Sequence, residues 1–391
     1  MTKLFMFEKP LGMRDTFPSV YLKKNKLKRS IERVVESYGY EFLETPALEY
    51  FETVGEVSTV PEEQMFKLLD TEGHTLVLRP DMTAPIARVA ASKLLKEKIP
   101  RRLAYSANVY RAQQREGGRP AEFEQLGIEY IGDQTISADA EVISLLNQAL
   151  EQAGVKNFTV AIGHIGFVKE LVREIVGTEE RCEHILHYLY EHNFVGFEEH
   201  VESLSISTID KKRLSKLLTF KGTADELSQQ VDELKGQTGE EELQDLLSLY
   251  QILLAYGYSE NITFDLGLVS HVSYYTGILF EVYVDGIGFP VGSGGRYNQL
   301  LQKFGKNASA TGFGIRLDYL VEATEELEKE SSVLVLFSQE RLGEAATLAY
   351  EKRMKGQCVT LQDIKGVTDI DAYSETFDEV IPLIGHVRRE K

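Results

Sequence analysis

No proline occurs between residues 121 and 289, although the chain carries 10 prolines. Eight lie at or before Pro120, and the other two are Pro290 and Pro382. Proline removes a backbone donor and breaks helices and central strands, so the gap is where long regular elements can run. Within it, residues 166–257 read as a run of helices. Thr223-Ala-Asp-Glu226 and Thr238-Gly-Glu-Glu241 both have capping-box form, a hydroxyl three residues ahead of a glutamate. Apolar residues at helical spacing follow each: Leu227, Val231 and Leu234, then Leu243, Leu246, Leu247 and Leu249. The block reads as a helical insertion between two halves of a larger sheet domain.

The flanks have a different period. Phe123 to Ile131 and Ile278 to Val284 alternate as half-buried strands do. Residues 20–38 predict an amphipathic helix with Leu27, Ile31, Val34 and Val35 on one side. Residues 322–332 are acidic and polar and read as a linker. A small β-α-β unit follows: Val333–Phe337, a helix around 340–355, Cys358–Leu361, then Val380-Ile381. The fold class is α+β with a mixed or antiparallel sheet as its main core. The divisions are a core of 1–165 and 258–321, an insertion of 166–257, a linker of 322–332 and a C-terminal α/β unit of 333–391.

Apolar residues make up 43% and charged residues 27%, the balance of a folded globular protein. No apolar run approaches the roughly 20 residues of a membrane span. The N-terminus lacks the apolar core of a signal peptide. Cys182 and Cys358, the two cysteines, make no disulfide framework, so a cytoplasmic location is expected. The net charge of −18 argues against nonspecific nucleic-acid binding, which needs positive charge at the phosphates. The basic runs 23–29, 101–102, 211–213 and 388–389 read as solvated faces and termini.

Alternation on Phe123–Ile131 places Gln125, Gly127 and Glu129 on one face and Leu126, Ile128 and Tyr130 on the other. The second set suits a core. The first reads equally as a solvated face or as a pocket floor, with an amide and a carboxylate flanking a glycine that lets a ligand approach. In Leu78-Arg-Pro-Asp-Met-Thr-Ala-Pro85, two prolines stiffen a turn that holds Asp81 and Thr83. That carboxylate could meet an ammonium group, but from the residues alone capping of a helix near Thr83 explains it better. Arg111 opens a basic stretch to Arg119 around Gly117-Gly118 that could clamp an anion. Gly292-Ser-Gly-Gly-Arg-Tyr297 reads as a glycine-rich turn without a phosphate-loop pattern. Cys182, His184, His187 and His192 do not share a helix face, and a polar helix surface explains them better than a metal site.

Together these segments resemble the class II aminoacyl-tRNA synthetases, and histidyl-tRNA synthetase in particular, over roughly residues 8–320. Gly12-Met-Arg-Asp-Thr-Phe-Pro18 is similar to that family's G-x-x-D-x-x-P, and Leu78-Arg-Pro-Asp-Met-Thr83 to its L-R-P-E-G-T. Tyr110-Arg111 through Gly132 resembles its second motif and the strand after it. Ser273-Tyr-Tyr-Thr-Gly277, Gly294-Gly-Arg-Tyr297 and Gly312-Phe-Gly-Ile315 follow in the family's order. The resemblance implies a six-stranded antiparallel sheet flanked by helices, and dimerisation through the first motif. It also implies a histidine pocket. Asp81 and Thr83 would face the ammonium, Gln125 would help hold the amino acid, and Glu129 and Tyr275 would meet the imidazole beside Tyr274. Arg111 is the cation nearest the carboxylate.

The departures carry as much weight. Ser270-His-Val-Ser-Tyr-Tyr275 stands where the synthetases carry R-G-L-D-Y-Y, so a catalytic arginine is Ser270. The third motif ends Arg316-Leu-Asp-Tyr319 in place of G-x-E-R, so the arginine that grips ATP is Tyr319. Gln113 replaces the glutamate of R-x-E. Arginine binds phosphate bidentately and stays charged, and each such transition-state contact is worth roughly 10²–10³ in rate. About 60 residues after the linker are too few for that family's anticodon-binding domain. A histidine pocket beside a disabled ATP site resembles the regulatory subunits of ATP phosphoribosyltransferase, which serve the first step of histidine biosynthesis. Asp81-Met82 in place of Glu-Gly fits them as well. The resemblance implies no catalytic residue, no metal and no cofactor of the chain's own. Its partners would be the short-form catalytic subunit and L-histidine, in a homo-oligomer within a hetero-oligomer. An active histidyl-tRNA synthetase is the competing reading. A tRNA-sensing adaptor is a third, and it would need a basic surface.

Overall fold

The computed structural model describes residues 8–96, 99–112, 120–270, 274–325 and 331–385. The chain divides into two compact units, residues 1–325 and 326–391. Helix α1 (Pro18–Ser37) begins at a proline, where a missing N–H costs nothing, and buries the expected stripe Leu27, Ile31, Val34 and Val35. Three of its four lysines are used internally. Lys24 and Lys28 each reach Glu124 at 2.8 Å, and Lys23 donates to the carbonyls of Val321 and Thr324.

Short strands β1 (Glu41–Phe42), β2 (Leu48–Tyr50), β3 (Lys67–Leu69) and β4 (Thr75–Leu78) follow, then helix α2 (Thr83–Val89). The long strands β5 (Arg101–Tyr110) and β6 (Glu122–Ile131) lead to α3 (Ile136–Gln152) and β7 (Phe158–His164). Next come α4 (Ile165–Val176), α5 (Glu179–Tyr190), α6 (Phe194–Ser203), α7 (Thr208–Thr219), β8 (Lys221–Gly222), α8 (Ala224–Glu233) and α9 (Glu240–Tyr256). Strands β9 (Ile262–Asp265), β10 (Ile278–Val284), β11 (Gly292–Tyr297) and β12 (Ala310–Arg316) close the sheet, and α10 (Leu317–Ala323) ends the unit.

The main sheet runs β1-β5-β6-β12-β11-β10-β7-β9-β8. From β5 to β7 the six strands are antiparallel to their neighbours, the core that the family resemblance implies. β1 and β9 extend it in parallel, and β8 pairs antiparallel with β9. Helices α1, α3 and α10 pack together against β6 and its neighbour β12. Strand β6 departs from the half-buried expectation: from Leu126 to Ile131 it is buried on both faces. It lies inside the sheet, with helices on one side and a polar pocket on the other. β10 alternates only toward its end, with Tyr283 exposed between buried Val282 and Val284, whereas Ile278, Leu279 and Phe280 are all buried.

Residues 166–257 are mostly helical, but the segment is joined to the sheet domain, because α9 packs on α3 and β7. The two capping-box sequences behave differently. Thr223 and Glu226 cap α8 reciprocally. Thr238 and Glu241 do not cap α9, whose N-cap is Gly239 at φ 93°. Thr238 instead hydrogen-bonds to Glu174 on α4. Gly292–Tyr297, expected as a turn, is the central strand β11. A Cβ on Gly294 would collide with the Gly312 carbonyl and the Phe280 ring, so these glycines serve close packing inside the sheet.

The second unit has β13 (Ser332–Phe337), α11 (Leu342–Met354), β14 (Cys358–Asp363), α12 (Ile370–Ser374) and β15 (Glu379–Leu383). Its parallel sheet has the order β14-β13-β15, and Val333, Val335 and Phe337 pack on Ala345 and Ala349. Of the expected linker, residues 326–330 lie outside the described residues, as do Arg388 and Arg389. No helix among the described residues is long and apolar enough to cross a membrane.

Candidate functional site

The antiparallel register builds a pocket from small residues. Tyr105, Gly127, Gly314 and Ser293 form one row across β5, β6, β12 and β11; Leu103, Glu129, Gly312 and Gly295 form the next. Cross-strand partners share a face, so the glycines leave a trench over which longer neighbours lie. A Cβ on Gly312 would collide with Glu129 Oε2, one on Gly314 with Gln125 Nε2, and one on Gly127 with the Tyr105 hydroxyl. The resulting cavity is about 70 Å³. That is room for several waters, each needing roughly 10–15 Å³.

All seven candidate residues line this cavity: Asp81, Thr83, Arg111, Gln125, Glu129, Tyr274 and Tyr275. Asp81 helps to cap the following helix and also borders the cavity. Its Oδ1 accepts from Ala84 N at 3.0 Å, capping α2, and its Oδ2 accepts from the Ser58 hydroxyl. The carboxylate is therefore fixed in direction while it borders the cavity. Arg111 Nε donates to the Pro80 carbonyl at 2.9 Å, which ties the end of β5 to the same turn. Thr83 is in hydrogen-bond contact with both Glu129 and Tyr274. Gln125 Oε1 is buried and takes no hydrogen bond from the described residues. A buried acceptor in that state inside a cavity is a place for a ligand donor or a water.

Glu129 is the most perturbed acid of the site. It is 2% exposed. Burial pushes its carboxyl up to about 7, assisted by repulsion from Asp81 and opposed by hydrogen bonds from Tyr297 and Thr83. Tyr297 Oη donates to Glu129 Oε2 at 2.5 Å. Burial also raises the hydroxyls of Tyr105, Tyr274, Tyr275 and Tyr297, leaving them as neutral donors. Beneath Tyr297, Arg296 Nε donates to Asp139 Oδ2 at 2.8 Å, and its other nitrogens donate to the carbonyls of Asp133 and Thr135. The strand is thereby pinned to the start of α3.

Sequence reasoning did not single out Thr59, Tyr105, Ser293 or Tyr297 as pocket residues. The signal for Tyr297 was its place two residues beyond Gly295. Tyr105 is reached only through the β5–β6 register.

At the departures, Tyr319 is 9% exposed. Its ring stacks on Phe289 at 6.3 Å and 17°. The Arg316 guanidinium lies 4.0 Å from the Tyr319 ring centre and 3.8 Å from that of Phe123. An aromatic–cation stack therefore fills the space beside Gln125, whose strand partner is Arg316. Gln113 and Ser273, together with the rest of the basic stretch to Arg119, lie outside the described residues. Cys182 is buried, and His184 packs on Tyr188 and His200. Among the described residues no group of three His, Cys, Asp or Glu is placed to hold a metal.

A family model described as histidyl-tRNA synthetase matches residues 12–320, and one described as histidyl-tRNA synthetase HisZ, C-terminal domain, matches 334–385. A relative from Geobacillus sp. (strain WCH70), named ATP phosphoribosyltransferase regulatory subunit, is 56% identical over 99% of each chain. A crystal structure from Bacillus halodurans C is described as an ATP phosphoribosyltransferase regulatory subunit/histidyl-tRNA synthetase. It superposes with a TM-score of 0.91 at 51% identity, covering 98% of this chain and all of that one. Histidyl-tRNA synthetase from Nostoc sp. PCC 7120 shares the fold at a TM-score of 0.80 and 20% identity, over 95% of this chain and 88% of its own.

Proposed function

This chain belongs to the histidyl-tRNA synthetase family, and we propose that it serves as the non-catalytic regulatory subunit of an ATP phosphoribosyltransferase, with L-histidine as the ligand of its pocket. The observation that carries this reading is a contrast between the pocket and two positions outside it. The polar groups suited to histidine are all present and converge on one cavity, whereas Tyr319 and Ser270 replace the arginines of adenylate chemistry. The full-length similarity to proteins named as regulatory subunits supports the same assignment.

In this reading the ammonium meets Asp81, which keeps lone pairs beyond those used by Ala84 and Ser58, together with Thr83 and the open Gln125 Oε1. The ring lies against Glu129 and Tyr275 beside Tyr274, and Arg111 is the cation for the carboxylate. Each charge-assisted hydrogen bond contributes roughly 1.5–3 kcal/mol. By linkage, histidine inhibits the complex only if it binds the inactive form more tightly. Exposed apolar side chains support self-association: Phe17 just before α1 with Tyr21 and Leu22 on it, and Leu48, Tyr50 and Leu68 on one face of the β2-β4-β3 sheet. In the basic runs expected to be solvated, Lys24, Lys28, Arg102, Lys211 and Arg213 pair with carboxylates, which supports a role without tRNA.

Co-purification with a short-form catalytic subunit, followed by light scattering, tests the assignment. A hetero-oligomer containing more than one copy of this chain is expected. A chain that stays monomeric and binds no such partner contradicts it.

A further inference from the structure

Glu129 is enclosed by groups from five elements. Asp81 and Thr83 come from the start of α2, Tyr105 from β5, Gly312 from β12, Tyr297 from β11, and Tyr274 and Tyr275 from the segment before β10. Asp81 is the one of these that carries a formal charge, and that charge is negative. The pocket's cation, Arg111, acts on Asp81, and the influences on Glu129 are burial, Tyr297, Thr83 and Asp81. A second full negative charge at Glu129 is therefore disfavoured by the groups around it as well as by its burial.

An imidazole placed against this carboxyl changes the count. Neutral imidazole with a carboxylic acid, and imidazolium with a carboxylate, hold the same single proton, and either pair makes one strong N–H or O–H hydrogen bond. We propose that histidine binding here is proton-linked, the complex holding one proton shared between Glu129 and the ligand's ring. The inference rests on histidine being the ligand and deepens that reading. No covalent bond forms or breaks; the proton enters from solvent or leaves to it.

The balance reverses with pH. At pH 8 the empty carboxyl and the free ring are both deprotonated, so binding takes up a proton. At pH 5.5 both are protonated and only one proton fits, so binding releases one. The carboxyl titrates at about 7, and a free imidazole at roughly 6.5. Affinity therefore peaks at about pH 6.5–7 and falls by up to about ten-fold per pH unit on either side. A feedback pocket built this way responds to histidine most strongly near neutrality.

Isothermal calorimetry of L-histidine into the full-length chain tests this, run at pH 5.5, 7 and 8 in pairs of buffers with different ionisation enthalpies. The expected result is uptake approaching one proton at pH 8, release at pH 5.5 and little exchange near 7. Glu129→Gln should abolish the uptake at pH 8. With 1,2,4-triazole-3-alanine, whose ring stays unprotonated at pH 5.5, the wild-type chain should lose the release but keep the uptake. Histidine that binds with the same heat in every buffer overturns the proton linkage and leaves the histidine assignment standing. Failure to bind by equilibrium dialysis at any of these pH values overturns both.

Discussion

Replacing Glu129 with glutamine should stabilise the ligand-free protein relative to wild type, increasingly as pH rises from 5 to 8. The folded carboxyl titrates at about 7, against 4.5 in its ordinary state. A group whose folded value is raised contributes stability that is fully present below the lower value and is lost as pH rises through the upper one. At about 1.4 kcal/mol per pH unit, wild type loses roughly 2–3 kcal/mol between pH 5 and pH 8 from this one group. Glutamine has the same shape, can accept from Tyr297 Oη and does not titrate. All other carboxyls are common to both proteins, so their contributions cancel in the difference. Urea unfolding followed by circular dichroism is the assay, because the chain has no tryptophan to report by fluorescence. A difference between the two proteins that stays flat from pH 5 to 8 refutes the buried-acid argument, and one that shrinks reverses it.

Gly312→Ala places a methyl group against Glu129 Oε2 and the Ile128 carbonyl. It should weaken histidine binding by about ten-fold or more while costing roughly 1–3 kcal/mol of stability, as calorimetry and urea unfolding would record. Asp139→Ala leaves Arg296 buried without its counter-charge. The loss should be about 3–5 kcal/mol, and a loss below about 1 kcal/mol would show that the carbonyls of Asp133 and Thr135 suffice. The chain should show no histidine-dependent ATP–pyrophosphate exchange above background, because Tyr319 and Ser270 stand where arginines are needed. Exchange above background would restore the synthetase reading.

Much of the fold was legible because local pattern and burial agree. The stripe on α1 follows from period alone, and so does the existence of β6 and β10, although β6 is buried on both faces from Leu126 onward. The failures have local causes. Thr238 and Glu241 have the right spacing for a cap, but Gly239 between them takes the left-handed conformation that starts α9 one residue later. Gly292–Tyr297 has turn composition, yet its glycines are demanded by neighbours across the sheet, Phe280 and Gly312, that sequence spacing does not reveal. Alternation placed Gln125, Gly127 and Glu129 together. It could not show that Tyr105 and Tyr297, 24 residues before and 168 after Glu129 respectively, arrive through register to close the same pocket.

The most direct measurement is histidine inhibition of phosphoribosyl transfer by the complex reconstituted from this chain and a short-form catalytic subunit. Each curve is normalised to its own uninhibited rate. Inhibition should require this chain, and Glu129→Gln should raise the half-inhibitory histidine concentration about ten-fold or more, since roughly 1.4 kcal/mol is ten-fold. Asp81→Asn should shift the curve in the same direction. Superimposable curves for wild type and both variants would contradict the account and place the regulatory histidine outside this pocket.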